Sequence, residues 1–413
     1  MIPKSFLAAA QRAEFPGARR NSALRAAAKK EGALFVVIAI VTYAITARAD
    51  QVRTLDGRVL TGDATIVSPG IKVGDETVPW KDLLDARWTG PVWTPLASGV
   101  VLADGTAIAG SPAAIDDQSV TLRRTPAGPV TVPTDSVARI QFAAIADDRL
   151  ARLAGGPAGL MLRGGDFFEG PVTGFDGTKI TMDSATFGPT EFDRATRADG
   201  IFLRPSGRLE GDLRVAAADG TSLAAEKIGI DGDAIRVKSP NGHAVEFARG
   251  SIVQIVRAGP TVVDAADLKP LSIDGGPAEK VFAIDRGLSG LSTRIVGVPG
   301  RRFLCVAGGS VTFAVPDGCD FFACRAAAPA DMVPSSAVRL TVDVDQTRAA
   351  TVTRYSVDDP EAILVPVAGR HSVRLEVGTG MQGLWIDPVF VRHVDRPRAK
   401  PSASQPATAP DKK

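Results

Sequence analysis

The sequence predicts an all-β chain, built from small barrel-like repeats followed by a β-sandwich. Three observations predict it. Aromatics make up 6 % of the residues while Gly (42) and Pro (29) are plentiful, which suits short strands and tight turns better than long helices. A short pattern recurs four times between Leu55 and Val256. Clean apolar–polar alternation then marks several segments between Ser310 and Val377, the period-2 signature of half-buried strands. At 413 residues the chain exceeds what one core sustains, and about two to four domains are expected.

Residues 1–49 read as a signal peptide or N-terminal anchor. Lys29-Lys30 precede an apolar run over 33–41, and Ala47-x-Ala49 suits signal-peptidase cleavage before Asp50. The rival reading is an uncleaved anchor, although the run is short against the roughly 20 residues of a bilayer span. On both readings the rest of the chain is exported, to a periplasm, cell envelope or the exterior. The balance of 48 basic and 46 acidic residues gives no general attraction to nucleic acid, so no nucleic-acid partner is expected.

The repeats fill 50–148 (repeats 1 and 2) and 158–258 (repeats 3 and 4). Each opens on Asp-Gly or Gly-Gly, as at Asp56-Gly57, Asp104-Gly105, Gly164-Gly165 and Asp219-Gly220. Five positions after that Gly stands Gly62, Gly110 or Gly170, replaced by Ala225 in the fourth copy. A turn and an apolar strand follow, as in Ile71-Lys72-Val73 and Val120-Thr121-Leu122. Asp-Gly is a hairpin signal, and the downstream Gly suits a strongly bent second strand. Asp82 and Asp135 mark the start of a one-turn 3₁₀ helix before a last strand. This order resembles small SH3-like or Sm-like barrels, in pattern alone. The repeats are expected to act as a stalk or as a docking surface for a protein partner. Residues 149–157 and 259–269 read as linkers.

Residues 270–394 predict a β-sandwich with about eight strands. Expected strands include 310–315 and 321–324 around a Pro316-Asp317-Gly318 turn, then 337–344, 362–367 and 371–377. Several residues here resemble a known family. Asp285-Arg286-Gly287-Leu288 before a Ser-rich segment, the strand–turn–strand from Phe313 to Phe322, Val342-Asp343-Val344-Asp345, Val373 to Val377 and Trp385-Ile386-Asp387 together resemble the NPCBM family, the carbohydrate-binding modules named for glycoside hydrolase family 98. The resemblance implies a galactose-binding-like jelly roll, sugar binding at the loops of one end, and a structural calcium. It departs where the family carries His after Gly-Leu, since this chain has Ser289-Gly290-Leu291-Ser292. Residues 395–413 lack large apolar side chains and read as a disordered tail.

Trp385 and Tyr355 are the aromatic candidates for a sugar platform, and Asp387 and Arg286 the polar ones. The competing reading packs Trp385 between Leu384 and Ile386 in the sandwich. Cys305 precedes the 310–315 strand and Cys324 ends the return strand. Strands that neighbour in sequence often pair, which makes Cys305–Cys324 a candidate disulfide; three buried thiols are the alternative. No G-x-S-x-G, H-E-x-x-H, phosphate-binding loop or C-x-x-C occurs. The expectation is an exported, non-enzymatic protein binding a glycan or cell-envelope polysaccharide, with no cofactor beyond that calcium. The alternatives are a structural cell-envelope protein and the accessory subunit of a glycosidase.

Overall fold

A computed structural model describes residues 49–392 apart from 117, 125–127, 147–148, 151–152, 154, 185, 286–287, 289–301 and 357. The N-terminal apolar run, Arg286 and the tail therefore lie outside the described residues. Within them the chain is all-β, with 35 strands and no helix longer than four residues.

Four repeats span 50–87, 99–141, 159–202 and 213–257. In each, the first strand pairs with a bent second strand and with the last strand, and a three-stranded meander closes over them. Alternation sets the inward face. Ile71, Val120, Ile180 and Ile235 hold matching positions on the middle meander strand. They lie opposite Val78, Val132, Phe192 and Phe247, and all eight are buried.

The bend falls where the recurrent glycine predicts it. Gly62, Gly110 and Gly170 have φ of 148°, 158° and 148°. A Cβ on Gly170 would stand 2.6 Å from the Asp183 carbonyl oxygen. Repeat 4 bends between Ser222–Ala225 and Lys227–Asp231 with no positive φ, so Ala225 is tolerated there. The helical turns begin earlier than expected. They cover Trp80–Asp82 and Thr134–Ser136, so Asp82 closes its turn and Asp135 sits inside its own. Pro79 and Pro133 precede them, and their fixed φ presets the turn. Repeat 3 uses a four-residue α-turn, Arg194–Arg197, with Asp193 accepting from the Thr196 N–H.

One twelve-stranded sheet runs through all four repeats, in the spatial order 3, 2, 4, 1. Sequence order had grouped 1 with 2 and 3 with 4. Spatially, the last strands of repeats 2 and 3 pair, as do those of repeats 4 and 1. The first pairing centres on Ile140↔Ile201 and the second on Ile255↔Ala86. These are equivalent positions, because each lies opposite the same residue of its first strand: Val100, Leu160, Val215 and Val52. Each joint is therefore a local two-fold.

The sandwich starts earlier than residue 270. Val262–Asp264, inside the expected linker, already pairs with the long strand Gln382–Arg392. One sheet runs Phe282–Ile284, Phe303–Ala307, Gln382–Arg392, Cys319–Ala327, Glu361–Pro366. The other runs Ser272–Asp274, Ser310–Ala314, Ser372–Val377, Val338–Val344, Thr347–Arg354. Phe313, Phe322, Phe390 and Leu375 are buried between them.

The Cys305–Cys324 bridge does not form, and all three cysteines are free and buried. The strand–turn–strand at Pro316 is no hairpin, because its arms enter opposite sheets. Gln382–Arg392 lies between the strands that carry Cys305 and Cys324. That is two inter-strand steps of about 4.8 Å each, beyond bridging range. Cys305 also packs on the outer face with Leu384 and Ile386 while Cys324 faces the inner core. Burial pushes the Cys305 thiol up to about 11 and the Cys324 thiol up to about 12, so neither forms a thiolate readily. Alkylation of native protein should label none of the three, and all three should react after denaturation without reductant. A Cys305–Cys324 peptide on non-reducing mapping would contradict the fold.

Gly170→Val forces a Cβ onto a carbonyl and strains φ. It should cost about 1–3 kcal/mol, measured as a lower urea midpoint; an unchanged midpoint would argue against the bend.

Candidate functional site

Repeat 1 docks on the sandwich through buried charges. Arg53 and Asp85 lie opposite one another on its first and last strands. Arg53 Nε donates to Asp85 Oδ1 at 2.9 Å and Nη2 to Oδ2 at 2.7 Å. From the sandwich strand Cys319–Ala327, Arg325 Nη2 reaches Asp85 Oδ2 at 3.0 Å and Nη1 donates to Gln51 Oε1 at 3.0 Å. Arg53 Nη1 completes the joint by donating to the Cys324 and Ile363 carbonyls, both at 3.1 Å. All three charged side chains are 2 % exposed. Burial pushes the Asp85 carboxyl up, but the Arg325 and Arg53 charges and their hydrogen bonds outweigh it and hold the carboxyl well below the usual carboxylate range. Sequence reasoning missed this cluster although a signal was present. Register equates Arg53 with Val101, Met161 and Ala216, and Asp85 with Arg139, Gly200 and Gln254. Repeat 1 alone places an acid–base pair there.

Beside this joint a cleft of about 580 Å³ opens between repeat 4 and the sandwich. Its sandwich wall forms at a gap in a sheet edge. Phe303–Ala307 covers Gln382–Arg392 as far as Ile386, and Val262–Asp264 resumes the pairing at Val389. Asp387 falls in the gap, with φ 46° and its N–H donating to the Arg302 carbonyl at 2.9 Å. Asp285, φ 55°, lies beside it in the wall and accepts from the Phe303 N–H at 2.9 Å. Left-handed Asp residues cost about 1–3 kcal/mol each, and such strain gathers at functional sites.

Arg302 bridges the carboxylates of the wall, with Nη1 2.8 Å from Asp267 Oδ1 and Nε 2.7 Å from Asp285 Oδ2. Arg208 reaches the same Asp267 oxygen at 2.8 Å. Arg214 donates from Nη2 to the Leu209 carbonyl at 2.8 Å, and its buried Nε has no hydrogen-bond partner. Burial lowers the Arg214 pKa, and it raises those of Asp264 and Asp285. The cleft is thus a partly dehydrated set of fixed donors and acceptors of both signs. No histidine among the described residues lines it. Among the described residues no group of three or more His, Cys, Asp or Glu is placed to hold a metal ion.

Of the three sequence candidates among the described residues, Asp387 alone lines the cleft. Trp385 is no platform. Its side chain is 0 % exposed and packs in the inner core, between Leu304 and Ala326 on the flanking strands. The apolar neighbours Leu384 and Ile386 had signalled this. Tyr355 is 40 % exposed and outside the cleft, its N–H donating to Asp358 Oδ2 at 2.8 Å. Arg286 lies outside the described residues.

No family model matches the chain, and no curated protein matches it. Its neighbours among solved structures include carbohydrate-binding modules and chains of enzymes. A CBM51 module from Clostridium perfringens GH95, in complex with methyl-galactose, is 17 % identical over 32 % of this chain and 100 % of that one, TM-score 0.28. The tandem CBM51 modules of Sp3GH98 from Streptococcus pneumoniae are 9 % identical over 72 % and 88 %, TM-score 0.29. The CBM51-2 and INT domains of Clostridium perfringens ZmpB are 14 % identical over 52 % of this chain and 44 % of that one, TM-score 0.29. At these scores the likeness is too loose to carry residue roles across.

Asp85→Ala strands two buried guanidinium groups and should cost about 3–5 kcal/mol in chemical denaturation. The depressed carboxyl contributes stability that is full above the unfolded-chain value of about 3.9 and is lost as pH falls through the lower folded value. Wild type should therefore lose stability below about pH 4 more steeply than Asp85→Asn; parallel profiles would contradict the assignment. Trp385→Ala should cost about 3–5 kcal/mol as a core truncation, and an unchanged melting curve would return Trp385 to the surface.

Proposed function

We propose that this is an exported, non-enzymatic, multi-module β protein that binds a glycan in the cleft between repeat 4 and the sandwich. One observation carries the reading. Asp285 and Asp387 belong to the two outermost sequence stretches that resemble the NPCBM family, and both reach the same cleft wall in a left-handed conformation. Arg302 ties them together through an ion pair to one and a carbonyl to the other. Sugar hydroxyls donate and accept at once, so they match a wall where guanidinium donors and carboxylate acceptors alternate. The galactoside named with the GH95 module is the class of ligand to try first.

The non-enzymatic reading rests on the cleft's contents. Asp264, Asp267 and Asp285 are engaged by arginines or backbone donors, and among the described residues its lining lacks a histidine or cysteine that would serve as base or nucleophile. Export rests on the apolar run over 33–41 and Ala47-x-Ala49.

Glycan-array screening of the full chain, followed by calorimetry, tests the binding. Asp387→Asn, which tolerates the left-handed backbone, and Arg302→Lys, which keeps the charge, should each weaken retention at least about tenfold, the loss of roughly one charge-assisted hydrogen bond, measured below each variant's unfolding transition. Wild-type protein retaining no glycan would overturn the reading.

A further inference from the structure

We propose that the two ends of the twelve-stranded sheet pair with each other between copies of this chain, repeat 1 of one copy against repeat 3 of the next. The argument starts from the one joint formed by second strands. Repeats 2 and 4 meet there through Ala107↔Ser222. Ala107 lies three positions before Gly110 and Ser222 three before Ala225, so equivalent residues face one another. This is a third local two-fold, after those at Ile140↔Ile201 and Ile255↔Ala86.

Hydrogen-bond alternation explains why these residues meet. In repeat 2 the Leu102 N–H donates to the Thr106 carbonyl, and in repeat 4 the Ala217 N–H to the Thr221 carbonyl. Pairing in an antiparallel ladder alternates, so the next residue of each second strand turns its N–H and C=O outward. Those residues are Ala107 and Ser222.

The free ends of the sheet repeat this arrangement. They are the second strands of repeats 1 and 3, Val59–Gly62 and Phe167–Glu169. There the Thr54 N–H donates to the Arg58 carbonyl and the Leu162 N–H to the Asp166 carbonyl. Val59 and Phe167 consequently carry the outward N–H and C=O, and they are the equivalents of Ala107 and Ser222. Val59 is 46 % exposed, a large apolar residue on an unpaired edge of the kind that invites strand addition.

A second copy is the matching occupant because the pairing reproduces a joint already inside the chain. That joint unites the 2·3 pair with the 4·1 pair. Val59 belongs to the 4·1 pair and Phe167 to the 2·3 pair, so the same union recurs head to tail. Antiparallel pairing centred on Val59↔Phe167 sets Leu60 opposite Asp166 and Arg58 diagonal to that carboxylate. Head-to-tail pairing that leaves a free edge at each end propagates.

The test is sedimentation velocity of the full chain over a concentration series, with electron microscopy. Wild type should grow in mass with concentration and form linear arrays. Val59→Pro and Phe167→Pro remove outward N–H groups that lie off the described strand ladders, and each should remain a monomer; Phe167→Pro also loses the ring contact with Phe202, so it should melt below wild type while staying folded at the assay temperature. Val59→Lys and Phe167→Lys serve as second variants should either proline impair folding. An equimolar mixture of the Val59 and Phe167 variants keeps one competent edge of each kind and should stop at a dimer. A wild type that stays monomeric throughout would overturn the proposal, as would a Phe167 variant that still associates.

Discussion

An unpaired strand edge is the constraint around which this chain is organised. A small barrel-like unit built from a first, a second and a last strand leaves backbone donors and acceptors along its open sides. Here the last strands pair two by two at equivalent residues, Ile140 with Ile201 and Ile255 with Ala86. Second strands then join the two pairs. The four cores merge along a continuous sheet, and Val100, Leu160, Val215 and Val52, at equivalent positions of the four first strands, are all buried in one core. Because like edges meet about local two-folds, neighbours in sequence need not be neighbours in space.

The sandwich is fixed to this array by charge rather than by an apolar seam alone. Leu84, Ala323 and Val391 make a small apolar patch, and the Arg53–Asp85–Arg325 cluster lies next to it. Burying three ionised groups costs several kcal/mol per ion before their attraction repays it. Repayment depends on the donors finding acceptors, which explains the use of carbonyls at Cys324 and Ile363 as well as Gln51; the buried Arg325 Nε alone is left without a hydrogen-bond partner in the cluster. A slip of register would strand a charge. The cluster therefore selects one docking geometry, and the walls of the adjacent cleft inherit their spacing from it.

That cleft is a consequence of two elements failing to meet. Phe303–Ala307 and Val262–Asp264 share one edge of Gln382–Arg392 but leave Asp387 between them. The local backbone turns left-handed there, and at Asp285, so both carboxylates reach the opening. A jelly roll by itself would offer only half of this wall, since Arg208, Arg214 and Arg257 come from the repeat side.

Sequence by itself determined what depends on short-range pattern. The fourfold recurrence around Gly62, Gly110, Gly170 and Ala225, the alternation that buries Ile71 and Val120, and the apolar flanks that hold Trp385 in the core are all local consequences of period-2 geometry and turn chemistry. Tertiary structure decided what depends on which edges meet. Nothing near Cys305 or Cys324 indicates that residues 382–392 separate them, and nothing near Pro316 indicates that its arms enter different sheets. Arg53, Asp85 and Arg325 lie up to 272 positions apart (325 − 53), and only the docking of repeat 1 on the sandwich gives their charges a common site. Strand pairing is non-directional in sequence: an edge accepts any partner with the right register. The choice among partners is made by the long-range packing that the whole chain forms together.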